Sequence, residues 1–512
     1  MNKLGPIESD RAAAARRIIA RLKPVIDDRR MMADPLYTYA YSGDASSYRL
    51  IPALVVIINT EDEVRAVLVA ARAEGLPVTF RAAGTSLSGQ AVTEGVLAVL
   101  GDGWRKIFVH PGGEQVTLGP AIIVANANRA LKPFNKKLGP DPASQATCKI
   151  GGVVNNNSSG MCCGVAYNTY HTMHRLKVML TDGTMLDSAD PQSRDDFQKK
   201  RPELLAALHQ LHHEVEADPE LVALIRRKYK IKNTVGYSLN ALLDFHDPID
   251  ILTHLIVGSE GTLGVVVEAT LRLRPLPLGP VATIGAYFAT VEEAARASAA
   301  ITAARLQPAA MELIGQSALD GIGTYLGLDL SGRGSYLLVQ FDGAAPGAVA
   351  DAAVLLIRSH GGDAEVSSGA KDGERLFAIR RAFHPAMEAR GTVLIEDVAV
   401  PRSQLPAMFQ AITDIERSFG MIIPTVAHAG DGNLHPNFIF EGAEVPREVW
   451  DAADAVFRAC LALGGTLTGE HGVGLLKKRW LRDELGDDQV ELQRQLKGVF
   501  DPNNILNPGK VF

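Results

Sequence analysis

The 512-residue chain is 46% hydrophobic and 21% charged, an ordinary globular balance with material for roughly three units of ~150 residues each. Its net charge of −6 provides no field for nucleic acid or an anionic membrane surface. Cys148, Cys162, Cys163 and Cys460 make neither a disulfide framework nor the spaced run that ligates an iron–sulfur cluster, which favours a reducing compartment.

Ser9-Asp10 is expected to cap a helix from Arg11 to Leu22, too charged for the apolar core of a secretory signal. Glu8, Asp10, Asp27 and Asp28 speak against a transit peptide. No apolar run reaches the ~18 residues of a spanning helix. The expected location is the cytoplasm, or the periphery of the inner membrane.

In chain order, residues 53–58 read as a strand, Thr60 to Glu74 as a helix stopped by Gly75, and residues 76–81 as the next strand. Residues 176–180 and 185–186 form a hairpin on the Asp182-Gly183 turn. Residues 190–248 are helical in pattern, and residues 251–257 and 264–273 return to strand. Pro275, Pro277, Gly279 and Pro280 mark a boundary. Beyond it, strands are expected at 281–288, 336–341 and 392–395, with helices at 292–304, 348–360 and 405–419. The expected fold class is α+β: one domain over residues 1–275 to which 465–512 return, and a second over 276–464 built on an antiparallel sheet.

Two segments carry metal-ligand chemistry: His428-Ala-Gly-Asp-Gly-Asn-Leu-His435 and Gly469-Glu470-His471-Gly472. Gly430 and Gly432 make a helix unlikely between the histidines. On one straight strand, an odd spacing would point them to opposite faces. A turn at Asp431-Gly432 between two strands would bring both imidazoles together. With Glu470 they give three ligands and an open position, a catalytic arrangement suited to zinc, manganese or iron. Two histidines that merely satisfy loop carbonyls are the plainer reading of the pair alone.

The loop Arg81-Ala82-Ala83-Gly84-Thr85-Ser86-Leu87-Ser88-Gly89 could cradle a phosphate with its backbone N–H groups, although by itself a plain turn explains it better. The stretch from Gly139 to Gly152, followed by Asn155-Asn-Asn-Ser-Ser-Gly160, is a poor core and a good wall for a polar heterocycle. These loops, Val257 to Gly264 and the closing Phe500 to Gly509 resemble the FAD-dependent D-2-hydroxyacid dehydrogenases of the vanillyl-alcohol oxidase/p-cresol methylhydroxylase superfamily. The resemblance runs from about residue 36 to the end and includes Gly101-Asp-Gly-Trp-Arg105 and Asn157 to Gly164.

That resemblance implies a two-subdomain FAD-binding domain and a cap domain carrying the histidines. It implies a pyrophosphate held by Arg81, Ala82, Ala83, Gly84, Thr85, Ser86, Gly89 and Gln90. It sets the flavin against Pro140, Asp141, Pro142, Ser144, Thr147, Gly151, Gly152, Asn157 and Gly160, with Gly261 and Thr262 nearby. Covalently flavinylated relatives have a histidine at the position of Thr85, so FAD is expected to be non-covalent. Arg380 matches a substrate-carboxylate arginine; as an isolated residue it reads as an exposed helix arginine. His384 and Asn437 fall at further substrate contacts. Ile395 stands where 2-hydroxyglutarate dehydrogenases carry lysine, which favours D-lactate over 2-hydroxyglutarate, with glycolate a further candidate.

The chemistry then assigns roles. A metal lowers the pKa of the substrate hydroxyl, His471 takes its proton, and flavin receives the hydride. Long-form relatives continue into a cysteine-rich iron–sulfur region that this sequence lacks. A quinone, a cytochrome or a separate iron–sulfur protein is the expected acceptor unless the native chain extends beyond Phe512, and a homodimer stays open. Three features are discounted: His209, His212 and His213 as a solvated helix face, Cys162-Cys163 as packing, and Lys477-Lys478-Arg479 as a solvated helix end. Two competing readings remain, a colourless metal-dependent hydrolase and a non-redox flavoprotein transferase like the alkylglycerone-phosphate synthases.

Overall fold

The computed structural model describes residues 6–162, 164–277, 279–442 and 444–512, so Cys163 of the Cys162-Cys163 pair lies outside the described residues. The chain divides into two compact units. The first comprises Met1–Tyr229, Thr234–Leu276 and Glu470–Phe512; the second comprises Lys230–Asn233 and Pro277–Gly469.

In the first unit, a four-stranded sheet runs in the order Met31–Met32, Leu54–Ile58, Val96–Leu100, Val78–Arg81, and its last three strands are parallel. The helix Glu61–Glu74 connects two of them. The Thr60 side chain accepts from Glu63 N at its start, and Gly75 ends it at φ 64°. Val64, Val67, Leu68 and Ala71 share its buried face, at the spacing that puts residues one above another on a helix. They join a core with Ile18, Leu22, Ile505 and Leu506. A six-stranded antiparallel sheet is built around the long strand Val265–Pro275, and it includes the expected hairpin, Met173–Met179 with Met185–Asp187.

Three local expectations are corrected. Residues 248–256 form a helix, Pro248–Ile256, where a strand was expected. Asp247 caps it, Pro248 sits in its first turn, and Ile249, Ile251, Leu252, Leu255 and Ile256 are all buried. A short apolar run buried on every side has no periodicity to separate helix from strand. The N-terminal helix is Pro6–Leu22, so Ser9 and Asp10 lie inside it rather than capping it. Lys477 is 1% exposed, so its triplet is not simply a solvated helix end.

The second unit holds an eight-stranded antiparallel sheet. Its order is Asp363–Val366, Ala282–Phe288, Ser335–Phe341, Ala310–Gly315, Thr425–His428, Asn433–Phe440 and Thr392–Ile395, with Val398–Ala399 also paired to Asn433–Phe440. Ile314, Leu319, Ile322, Tyr336, Leu338, Leu376, Met387 and Val426 form one core, where Gln316–Leu326, Ala370–Arg381 and Phe383–Glu388 meet the strands.

The returning segment Glu470–Phe512 is fastened to the first unit by polar bonds. The Glu260 carboxylate accepts from Val473 N (2.5 Å) and Gly474 N (2.9 Å). Asn507 donates to the carbonyls of Gln90 (3.0 Å) and Glu260 (2.8 Å), and accepts from Thr79 Oγ1 (2.8 Å). Burial pushes Glu260 up to about 7, against the opposing pull of the Gly474 and Val473 N–H groups, Gln90 and Lys510. The folded state therefore holds a proton that an unfolded glutamate, with a value near 4.5, has released. Stability attributable to this group falls as pH rises from about 4.5 to about 7. Chemical denaturation of the wild type and Glu260→Gln across this window should show a downward slope, worth on the order of 2–3 kcal/mol at most, that the glutamine variant lacks. Parallel curves would contradict the assignment.

Candidate active site

A cavity of about 450 Å³ lies in the first unit, within the range of small-molecule and cofactor sites. Ala82, Ala83, Gly84, Thr85, Ser86 and Gln90 line it from the first loop. Pro142, Ser144, Thr147, Gly151 and Gly152 line it from the second, and Gly261 from a third. A Cβ at Gly152 or Gly261 would meet nothing within 4 Å, so the wall is open at both.

The other expected cofactor residues stand behind this wall. Arg81 is buried and donates from Nε (2.9 Å) and Nη2 to the Ala91 carbonyl, closing the loop; burial holds its pKa below the usual guanidinium value. Gly89 lies against Tyr48 and Leu475. Pro140 is buried, and Asp141 Oδ2 accepts from Cys162 N at 3.1 Å. A Cβ on Gly160 would fall 2.0 Å from the Asp141 carbonyl oxygen, a close approach only glycine permits. Asn157 Oδ1 accepts from Tyr170 N (2.9 Å), and the Thr262 hydroxyl bonds that of Tyr237 (2.7 Å). From the asparagine–serine run, Asn155, Asn156, Ser158 and Ser159 reach the cavity.

Glu470 and His471 also line the cavity. Their backbone is fixed there: Asn156 donates to the Glu470 carbonyl (2.7 Å), and Gln90 donates to that of His471 (2.8 Å). Ser159 Oγ is buried with no hydrogen-bond partner among the described residues. An unpartnered hydroxyl, open glycine edges and amide side chains suit a polar cofactor such as FAD.

In the second unit, Thr425–His428 and Asn433–Phe440 pair as a hairpin in which Val426 faces His435 and His428 faces Asn433. The His428 and His435 rings stand 5.1 Å apart at 79°. Glu312, absent from the expected set, occupies the neighbouring strand directly opposite His428. It is fully buried, with Oε1 2.6 Å from His428 Nδ1 and Oε2 2.6 Å from Arg380 Nε. Burial alone would raise its pKa; the charges of His428 and Arg380 outweigh burial and lower it. A carboxylate only accepts, so His428 Nδ1 carries a proton, and only in the ring's neutral form does Nε2 hold a lone pair that could ligate.

Asp397, also fully buried, lies 3.9 Å from His435 Nδ1 and accepts from Asn433 (2.6 Å) and Thr468 (2.7 Å). Gly469 sits so close to Asn433 that a Cβ would come within 2.6 Å of its amide nitrogen. Asn437 Nδ2 donates to the His435 carbonyl (2.8 Å), while its Oδ1 is buried with no partner among the described residues. Ile395 is the cross-strand neighbour of Asn437. His384 is about half exposed and points to Glu388 at 3.1 Å, so no described contact draws it to this cluster.

Residues 52–189 match the family model described as FAD binding domain, and residues 280–511 match that of the FAD linked oxidases, C-terminal domain. The chain is 31% identical to the glycolate oxidase subunit GlcD of Bacillus subtilis, over 92% of either chain. It is 27% identical to a D-lactate dehydrogenase of Archaeoglobus fulgidus, covering 90% of this chain and 91% of that one. A p-cresol methylhydroxylase solved with substrate bound shares the fold at a TM-score of 0.68, 11% identity, and coverage of 98% and 97%. Sequence and fold thus agree with the cavity's chemistry, and the chain belongs to the FAD-linked oxidases, as an FAD-dependent oxidoreductase with the fold seen in p-cresol methylhydroxylase.

Proposed function

We propose that the protein oxidises a D-2-hydroxy acid, D-lactate foremost, to the 2-oxo acid, with a divalent metal held by His428, His435 and Glu470. The observation that carries this reading is the buried Glu312, which holds a histidine through one oxygen and an arginine through the other. FAD, bound non-covalently in the cavity beside Thr85, supplies the acceptor for the two electrons and the hydrogen leaving the substrate carbon. A zinc, manganese or iron ion supplies Lewis acidity towards the substrate hydroxyl.

The chain's own residues do the rest. Arg380 uses only Nε on Glu312, and its outer N–H groups form a fork suited to a carboxylate. Asn437, beside His435, contributes a further hydrogen bond to the substrate. His471 takes the hydroxyl proton. His384 contributes, in this reading, a weaker contact from the rim. Ile395, directly across from Asn437, shares its face of the sheet and offers an apolar wall to the substrate's far end. Such a wall suits a methyl group better than a second carboxylate. Electrons then pass to a quinone, a cytochrome or a partner protein, the last in keeping with the B. subtilis relative being named a subunit.

The test is anaerobic mixing of the FAD-loaded protein with D- and L-lactate, D-2-hydroxyglutarate and glycolate while flavin absorbance is followed. D-lactate should bleach the flavin fastest, and prior chelation should slow that bleaching severely. Fastest bleaching by glycolate would move the reading to the activity in the B. subtilis relative's name. No bleaching by any acid would point to non-redox chemistry, and full-speed bleaching after complete metal removal would refute the metal role. His471→Ala should cut the rate of bleaching by about 10²- to 10⁴-fold with flavin content unchanged. Ile395→Lys should shift kcat/KM from D-lactate towards D-2-hydroxyglutarate by about tenfold, the worth of one exposed-to-half-buried ion pair of ~1 kcal/mol or somewhat more. An unchanged ratio would remove Ile395 from the substrate face.

A further inference from the structure

The helix Pro202–Glu216 places His209, His212, His213 and Glu216 at spacings of three and four residues, and the structure adds His246 from beyond the short helix Ala241–Asp244. We propose that His212, Glu216 and His246 form a divalent transition-metal site, zinc by preference, that ties this helix to the segment around His246.

His212 is the anchor. It is 2% exposed, and its Nδ1 lies 2.7 Å from the Leu242 carbonyl oxygen. A carbonyl can only accept, so Nδ1 carries a proton and the neutral ring presents its lone pair at Nε2. A ring nitrogen bonded to a backbone carbonyl while the other faces outward is the usual support of a ligating histidine. Nε2 faces Glu216 Oε2 at 3.2 Å and His246 Nδ1 at 3.3 Å. A lone pair set against a carboxylate oxygen at that distance is repulsive unless a cation stands between them.

The distances fit a metal. Zinc bonds nitrogen and oxygen at about 2.0–2.1 Å, which makes the edge of its tetrahedron about 3.3 Å. The two measured separations, 3.2 and 3.3 Å, match that edge. The three ligand atoms lie within 4.8 Å of one another, and Glu216 and His246 are exposed, which leaves an entry path and a fourth position for water. Two imidazoles and a carboxylate suit zinc and its neighbours better than magnesium or calcium. His209 and His213, with Nε2 atoms 3.2 Å apart, continue the imidazole face along the helix. The competing arrangement is a proton: His212 as an imidazolium donating to Glu216.

The two arrangements separate on direct measurement. FAD-loaded protein, stripped with a chelator and exchanged into clean buffer, is titrated with zinc chloride, and bound zinc per chain is counted by mass spectrometry of the metal. Glu216→Gln and His246→Ala alter exposed side chains, and unchanged circular dichroism and flavin content would confirm the fold. Each variant should lose one equivalent of zinc, or bind it at least about 10- to 100-fold more weakly, while flavin reduction by substrate is unchanged. The wild type should also show a larger zinc-dependent rise in thermal midpoint than either variant. A His428→Ala variant should keep this equivalent, which separates this site from the metal of the proposed reaction. Zinc affinity and stoichiometry equal in the wild type and both variants would overturn the proposal in favour of the proton.

Discussion

A carboxylate with no exposure to water is affordable to the fold only if both its oxygens are matched, and Glu312 meets that condition with His428 on one oxygen and Arg380 on the other. Around it the second unit's sheet has little freedom. Glu312 must face His428 across the ladder of Ala310–Gly315 and Thr425–His428. His435 must follow from the next ladder, through the Val426–His435 pairing. A slip of one residue in either register would turn these side chains to the other face and strand the charge. The sheet's alignment and the cluster's chemistry are one constraint.

The first unit meets its demand differently. Its cavity is walled by loops, and the loops are held from behind: Arg81 on the Ala91 carbonyl, Asn157 on Tyr170, Glu260 on the turn after His471. Few of these supporting side chains touch the cavity, yet they fix the backbone that does. Such a division is typical of binding loops on a rigid scaffold. The second unit, by contrast, carries its chemistry on paired strands, where rotamer and register are set by packing.

Local signals made much of this legible in the sequence. The Gly75 stop framed the end of a helix that the structure contains, and Asp182-Gly183 marked its hairpin. The turn between His428 and His435 followed from Gly430 and Gly432 together with strand parity. What escaped had no local mark. Glu312 is one acid in an apolar strand, 116 residues from His428 and 68 from Arg380, and only the sheet brings them together. The helix Pro248–Ile256 was misread because burial on all sides erases its period. In the second loop, composition announced a polar wall, but which asparagine faces inward depends on the backbone, and Asn155 and Asn156 do so where Asn157 does not. The histidine row on Pro202–Glu216 looked like a solvated face until folding buried His212 and delivered His246.

In the proposed reaction, Glu312 holds His428 in the orientation that would bind a catalytic metal. The most direct test is the affinity of FAD-loaded Glu312→Gln for manganese or zinc, measured in a Glu216→Gln background so that only the His428 site is read. Glutamine keeps the shape of the side chain and removes its charge. Flavin content should stay as in the parent, and metal affinity should fall by about 10- to 100-fold. Unaltered metal affinity in a folded, flavin-loaded variant would contradict it.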